Sequence, residues 1–333
     1  MNLLVTGGSG AFGSAFVRTA LTWPMVERVV VFSRDEHKQE RLFKELGPDA
    51  QDRLRFFLGD VRDEQRLVMA LKGITHVVHA AALKVVPWLE YNPGEGVKTN
   101  VGGAAHLVDA CIRVGCVERV VALSTDKAVA PVNLYGATKL VSEKLFLAAN
   151  ALSVGGVTFS VVRYGNVSGS TGSVVPLWRP LAREGKPLPI TDDRMTRYWM
   201  TLAEAVELVR DSLFNGRGGE VVVPKLPSYF VKDLAEAVWE EQGFGECLTT
   251  PVGIRPGEKL HESLVGEDEA PWAYDCGTHY EIVHVSSPHG PGGRMASAVV
   301  SGVQVPDTFR YRSDTNERWL LKDELVRRLA LAP

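Results

Sequence analysis

Thr6-Gly7-Gly8-Ser9-Gly10-Ala11-Phe12-Gly13 follows the apolar run Leu3-Leu4-Val5 and opens a helical stretch. That context decides the fold. Glycines at this turn let the chain reverse sharply, let backbone approach a pyrophosphate, and let the helix pack tightly on the strand, while the helix N-terminus attracts phosphate charge. A glycine pattern alone is weak. At the turn closing a first strand, Gly7, Gly10 and Gly13 with the intervening Ser9, Ala11 and Phe12 read as a dinucleotide-binding loop rather than a plain structural turn.

Outward from this loop, short Val-rich runs alternate with amphipathic stretches, the pattern of parallel strands joined by crossover helices. Strands are expected over 2–6, 28–32, 55–58, 76–79, 119–123 and 159–163, with helices such as 11–21, 64–71 and 104–114 between them. The regularity fades after Asn166. A helix over 201–214 and a strand over 220–224 read as a return to the sheet. The expected fold class is therefore α/β, a Rossmann-type doubly wound parallel sheet with a smaller substrate-binding lobe. Residues 1–166, with 200–225 returning, are expected to form the cofactor domain, and 167–199 with 226–333 the lobe. No internal repeat is visible, and the Gly/Pro/Ser-rich run 286–293 reads as an exposed loop.

Composition sets the outer limits. The chain has 333 residues, 45% hydrophobic and 23% charged, enough apolar material for a substantial core. A net charge of -3 and a pI near 6.3 supply no basic field, so neither nucleic acid nor anionic lipid is expected as a partner. Cys111, Cys116, Cys247 and Cys276 lack the close paired spacing of a zinc site, and no metal is expected. They read as reduced thiols. With no basic leader before the first strand and no run of eighteen apolar residues, a soluble cytoplasmic protein without membrane association is expected.

The end of the second strand chooses the nicotinamide cofactor, because a carboxylate there accepts ribose hydroxyls whereas cations accommodate a 2′-phosphate. Ser33, Arg34 and Lys38 favour NADP. The competing reading takes Asp35 as the ribose ligand. After the third strand, Asp60 can bond an adenine amino group beside Val61, or simply cap the following helix. His79-Ala80-Ala81-Ala82 ends the fourth strand with residues small enough for a cofactor to lie on the backbone.

The expected reaction centre is Ser124-Thr125-Asp126-Lys127 at the end of the fifth strand, followed by Tyr135 and Lys139. Four residues apart on a helix, Tyr135 and Lys139 share one face. An ordinary tyrosine, with a pKa of about 10, is too weak an acid to serve as a base at neutral pH, and the Lys139 ammonium is expected to favour the phenolate. Thr125 is placed to share a substrate hydroxyl proton. Asp126 and Lys127 go beyond what a simple dehydrogenase or 4-epimerase needs. An acid and a base beside the oxidation site imply a second step, with Lys127 removing the C5 proton of a 4-ketone and protonated Asp126 releasing the C6 hydroxyl as water. The bland alternative is a surface ion pair.

Across Ser33-Arg34-Asp35-Glu36-His37-Lys38-Gln39, Ala81-Ala82-Leu83-Lys84, Glu90-Tyr91-Asn92-Pro93, 124–139 and Gly253-Ile254-Arg255-Pro256-Gly257-Glu258-Lys259-Leu260-His261-Glu262, the chain resembles the soluble inverting UDP-N-acetylglucosamine 4,6-dehydratases of the pseudaminic acid pathway. The resemblance runs from residue 2 to about 262 and returns near 309–320. It implies an extended short-chain dehydrogenase/reductase, which also uses the glycine spacing seen here. It further implies NADP recycled within each turnover, UDP-N-acetylglucosamine as substrate, a 4-keto-6-deoxy product inverted at C5, and a homo-oligomer, dimer or hexamer. By the same resemblance Lys84 lines the cofactor and sugar site, Asn166 holds the sugar nucleotide near its diphosphate, and Arg197, Arg255 and Glu258 grip the uridine diphosphate and its ribose. The family often carries a histidine where this chain has Val85, and 266–305 matches it poorly. A retaining dehydratase shares the Asp-Lys chemistry but tends to lack the tyrosine, a 4-epimerase has no use for Asp126 and Lys127, and a non-catalytic NADP-sensing protein would have lost Tyr135 or Lys139.

Overall fold

Runs of β-branched residues build strands β1 (Asn2–Thr6), β2 (Arg28–Ser33), β3 (Leu54–Leu58), β4 (His76–His79), β5 (Arg119–Thr125) and β6 (Thr158–Tyr164). The computed structural model describes residues 1–153, 156–169, 174–283 and 300–330. The loop expected at 286–293 lies outside them. These strands pair in parallel in the order β3-β2-β1-β4-β5-β6, the doubly wound Rossmann arrangement. Helices cover both faces of such a sheet, which is why β1, β2, β4, β5 and β6 are buried almost throughout.

The covering helices are α1 (Ala11–Ala20), α2 (Glu36–Leu46), α3 (Pro48–Gln51), α4 (Glu64–Ala70), α5 (Val86–Tyr91), α6 (Pro93–Gly96), α7 (Gly103–Val114) and α8 (Leu134–Leu152). Their starts follow from capping side chains. Asp35 accepts from the Lys38 amide at 2.9 Å, Asp63 from Arg66 at 2.9 Å and Asn133 from Gly136 at 2.8 Å. Helix α4 is thus capped by Asp63, which frees Asp60 from the capping role weighed above.

Beyond β6 come β7 (Asn166–Val167), α9 (Val174–Arg183), β8 (Leu188–Ile190), β9 (Thr196–Met200), α10 (Leu202–Asn215) and β10 (Glu220–Pro224). As expected, β10 returns to the sheet, parallel to β6. A capping box starts α10, with Thr201 and Glu204 each bonding the other's backbone amide. The remaining elements are β11 (Ser228–Phe230), α11 (Val231–Glu240), β12 (Thr249–Pro251), β13 (Ser263–Val265), β14 (Ala273–Asp275), β15 (His279–Val283), β16 (Val303–Gln304), β17 (Tyr311–Arg312) and α12 (Lys322–Ala330).

Here the structure departs from the expected division. Strands β14, β15 and β16, which fall within 226–333, extend the main sheet beyond β10 by antiparallel pairing instead of joining the lobe. Antiparallel pairing of β15 with β10 satisfies an edge that the parallel layer alone leaves open. A second core, separate from that of the sheet, packs Trp178 of α9, Trp199 of β9, Leu234 and Trp239 of α11, and Leu325 and Leu329 of α12. Among the described residues no helix is long and apolar enough to cross a membrane.

Arg163 of β6, fully buried, fastens these parts together. Its guanidinium donates to Glu143 of α8 at 3.1 and 2.6 Å, to Glu269 at 2.8 and 2.9 Å, and to the Leu264 carbonyl at 3.0 Å. All its donors are used. Replacing it with methionine strands the buried Glu143 carboxylate and leaves the part-buried Glu269 without its arginine, and removing one partner of a buried pair costs about 3–5 kcal/mol. Urea unfolding of Arg163→Met is expected to show a loss of that size.

Candidate active site

At the C-terminal edge of the sheet, a cavity of about 380 Å³ is lined by Gly7, Ser9, Gly10, Ser33, Arg34, Lys38, Asp60, Val61, Ala80 and Ala81 among others. Sequence reasoning named all ten. The glycine turn is shaped by close approach: a Cβ on Gly13 would lie 2.4 Å from the Gly7 carbonyl oxygen. Gly7 itself has φ of 65°, the left-handed region that favours glycine. Ala11, Phe12 and Gly13 form the first turn of α1 behind this loop.

The side chains at the cavity's far end are partly committed. Ser9 donates to Ser33 at 2.9 Å, and Gln39 donates to the same hydroxyl at 2.9 Å. Asp35 is engaged by both the amide and the ammonium of Lys38. Arg34 is half exposed, with only a 3.4 Å contact to Asp60. Burial opposes ionisation of Asp60, but Arg62, bonded at 2.9 and 2.6 Å, holds its carboxyl below the usual range. Thr99, on the π-helical turn Val97–Gly102, lines the cavity with its buried hydroxyl unpartnered. An orphaned hydroxyl and a glycine cradle that a Cβ would fill suit a phosphate-bearing dinucleotide.

Strand β5 runs to Thr125, two residues past its expected end, because Ser124 and Thr125 keep pairing with Arg163 and Tyr164 of β6. The chain then turns through Asp126–Ala128 into the loop before α8. Asp126 is fully buried, so the pair is no surface ornament. Its Oδ1 accepts from the Thr125 hydroxyl at 2.9 Å and from Lys127 at 3.1 Å, while Oδ2 has no partner. Burial raises the Asp126 carboxyl above the ordinary range against the opposing pull of Lys127. The Lys127 ammonium is raised despite burial, because Asp126 and Glu262, at 3.1 and 3.3 Å, both hold it charged.

Tyr135 and Lys139 sit on the first turns of α8, which packs closely because Gly136 lacks a side chain: a Cβ there would fall 2.0 Å from the Lys127 carbonyl oxygen. The Tyr135 phenol lies near enough to the Thr125 side chain for that side chain to favour the phenolate. The expected acidification by Lys139 is corrected here. Burial pushes the phenol up to about 12, and Lys127 is the cation that opposes this. Lys139 is itself buried and pushed down to about 8 by desolvation, with Glu143 one turn on favouring its charge.

The residues expected to hold substrate are spread around this centre. Lys84 lines a neighbouring cavity with Leu83, Val85 and Trp88 instead of the dinucleotide cavity. Asn166 opens β7 with a buried, unpartnered Oδ1. Arg255 is exposed, in a turn where its amide and the Glu258 carboxylate meet at 3.3 Å. Arg197 is buried and spends its guanidinium on the carbonyls of Thr196, Lys259 and Leu260 at 2.8, 3.0 and 3.1 Å, tying β9 to the 255–262 loop.

Four buried residues carry roles that the sequence did not assign. Glu262 appears there only as the end of a motif, yet it reaches Lys127. Glu143 and Arg163 underlie Lys139. His79 closes β4, bonded to Thr6 at 2.8 Å and held neutral, with its pKa near 3, by burial and by Lys139. Among the described residues, Cys276, His279 and Glu281 come close enough to share an ion, but Glu281 is already bound by Arg217 and His279.

A Rossmann sheet with a glycine-rich turn, a Thr-Tyr-Lys set at the end of β5 and a second small lobe defines an extended short-chain dehydrogenase/reductase. More narrowly, the chain belongs to the family described as polysaccharide biosynthesis protein, whose model matches residues 3–284. Among relatives, a UDP-N-acetylglucosamine 4,6-dehydratase (inverting) of Campylobacter jejuni strain 81-176 is 42% identical over 98% of this chain and 96% of its own. A UDP-glucose 4-epimerase of Rickettsia prowazekii is 41% identical over 84% of this chain and 82% of its own. Among solved structures, Pen from Bacillus thuringiensis superposes with a TM-score of 0.87 at 33% identity, covering 99% of this chain and 98% of its own. DesIV, a dTDP-glucose 4,6-dehydratase from Streptomyces venezuelae with NAD bound, gives 0.69 at 26%, covering 78% and 87%.

Lys139 generates a pH prediction. Its folded pKa of about 8 lies below the ordinary lysine value of 10.5, so between them the unfolded chain binds the extra proton. Stability from this group therefore rises with pH across that window. Without added dinucleotide, the melting-temperature advantage of Lys139→Met over wild type is expected to shrink from pH 8 to pH 10.

Proposed function

We propose that this protein is an inverting UDP-N-acetylglucosamine 4,6-dehydratase that works with NADP. The observation that carries this reading is the fully buried Asp126 paired with Lys127 beside Thr125 and Tyr135. Oxidation at C4 needs only the last two; an acid and a base beside them serve elimination. The Campylobacter relative's name supports the same substrate and outcome. The Rickettsia relative's name points to a 4-epimerase, for which the buried Asp-Lys pair has no task.

The Thr125 side chain and the Tyr135 phenol stand side by side, so a C4 hydroxyl laid against them can pass its proton to Tyr135. Bound in the cavity, NADP supplies hydride acceptance from C4, a positive ring charge that favours the phenolate, and hydride return to C6. The C4 ketone acidifies the C5 proton, which Lys127 takes. Asp126, whose carboxyl burial raises above the ordinary range, gives a proton to the departing C6 oxygen, which leaves as water. A proton then returns to C5 from the opposite face.

The preference for NADP over NAD rests on Arg34, half exposed beside the cavity, while Asp35 is occupied by Lys38. The small lobe, through Asn166, Arg255 and Glu258, takes the uridine diphosphate, and Arg197 positions the 255–262 loop. A cytoplasmic homo-oligomer belongs to the same proposal, which the exposed Trp88 and Tyr91 of α5 favour.

Purified protein incubated with UDP-N-acetylglucosamine in deuterated water is expected to form, by proton NMR, a 6-deoxy-4-keto sugar with deuterium at an inverted C5. Interconversion of C4 epimers without loss of water would overturn the reading, and retained C5 configuration would leave a retaining dehydratase. Arg34→Ala is expected to cut the preference for NADP over NAD by about tenfold, the scale of one charged hydrogen bond. An unchanged preference would remove Arg34 from cofactor choice.

A further inference from the structure

Lys127 as the base for C5 meets an obstacle in its own surroundings. Its ammonium stands between Asp126 Oδ1 at 3.1 Å and Glu262 Oε1 at 3.3 Å. The Glu262 carboxylate beside this ammonium keeps it protonated, and a protonated lysine accepts nothing. Passing the proton to Asp126 does not solve this, because Asp126 must already carry the proton destined for the C6 oxygen. A third site has to take it.

Glu262 has the geometry of that site. It is 2% exposed, and its Oε2 is buried without a hydrogen-bond partner. Its backbone is fixed on both sides, the amide donating to the Ser313 hydroxyl at 3.0 Å and the carbonyl accepting from the Ser313 amide at 2.9 Å. Lys259 lies 4.0 Å and Arg197 3.9 Å from its carboxylate, and the Tyr198 phenol is also close enough to feel its charge. Around Lys127 stand Asp126 and Glu262, the cations Lys84, Lys259 and Arg197, and the phenols of Tyr135 and Tyr229.

We propose that Glu262 is the proton acceptor that turns Lys127 into a base while Asp126 keeps its acid proton. The inference rests on the dehydratase reading. It starts from neutral Asp126, cationic Lys127 and anionic Glu262. One Lys127 proton passes across the 3.3 Å contact to Glu262, leaving a neutral amine and two carboxylic acids. The amine takes the C5 proton as the C5–H electron pair forms the C5=C6 bond, and Asp126 protonates the C6 oxygen as the C6–O bond breaks. Lys127 is then an ammonium, Asp126 a carboxylate and Glu262 an acid. Lys127 passes a proton to Asp126 and receives the one on Glu262, restoring the starting state with no proton gained or lost. The two carboxyls are biased accordingly: burial raises Asp126, whereas for Glu262 the same burial penalty is outweighed by Lys127, Arg197 and Lys259, which lower it.

The test is Glu262→Gln in the full-length protein loaded with NADP, assayed with UDP-N-acetylglucosamine. C4 oxidation, read as reduced cofactor at 340 nm in a single turnover, is expected to persist. Solvent deuterium entry at C5 and water loss at neutral pH are expected to fall by roughly 10², the low end of what a positioned proton acceptor contributes. The loss should shrink as pH rises, because Lys127, relieved of one carboxylate, can then give its proton to water. Glu262→Asp, which retains an acceptor one methylene shorter, should show a smaller loss with C4 oxidation kept, and serves if the glutamine variant does not fold. A pH-independent loss in the folded variant, or equal loss of C4 oxidation, would reduce Glu262 to a structural role. Wild type that makes no dehydrated product would overturn the dehydratase reading itself, a distinct outcome.

Discussion

Two groups of paired charge join the ends of β5 and β6 to the chain between 262 and 269, and the reaction centre depends on both. In one, Arg163 is saturated by Glu143, Glu269 and the Leu264 carbonyl; in the other, Lys127 lies between Asp126 and Glu262. Apolar packing is non-directional and cannot fix where a carboxylate points. Saturated hydrogen bonds in a desolvated place can, since any displacement leaves a buried charge unpaired. Position and protonation state are therefore set by the same contacts.

That constraint explains how a Rossmann sheet acquires chemistry beyond hydride transfer. Thr125, Tyr135 and Lys139 need only β5 and the helix α8 that follows it. Elimination needs groups of fixed and opposite proton affinity, and the fold obtains them by closing the 255–262 loop over the strand end. Arg197 binds that loop through three carbonyls, Asn133 donates to the Gly257 carbonyl at 2.7 Å, and Lys259 donates to the Val129 carbonyl at 2.5 Å. Val129 and Ala130 follow directly on the Asp126–Ala128 turn, and Ala130 has φ of 41°, a strained value for a residue with a Cβ. A loop clasped from the other lobe helps hold that conformation.

Much of the architecture was legible because parallel strands buried on both faces write themselves as Val-rich runs. The expected bounds of β1, β4 and β10 match those observed. The end of β5 was not legible, since Ser124 and Thr125 are polar and stay in the strand only through pairing with a β6 that lies far along the chain. Strands β14 to β16 were misplaced for the same reason: short hairpins carry little periodicity, and only their partner β10 reveals their layer. Within the site, residues tied to a strand end or a glycine turn could be named from sequence. Glu262 could not, because nothing local distinguishes a buried carboxylate in an aperiodic loop from a solvated one. Arg197 was legible as important, but the three carbonyls of its own chain to which its guanidinium donates were not.

The central claim is that one centre couples oxidation at C4 to reduction at C6 through elimination. Following the hydrogen of C4 tests it most directly, with UDP-N-acetylglucosamine deuterated at C4, NADP-loaded wild-type protein and ordinary water. The account predicts that the deuterium appears at C6 of the product, with ordinary hydrogen at C5. Deuterium that returns to C4 of an epimer, or remains there, would contradict it.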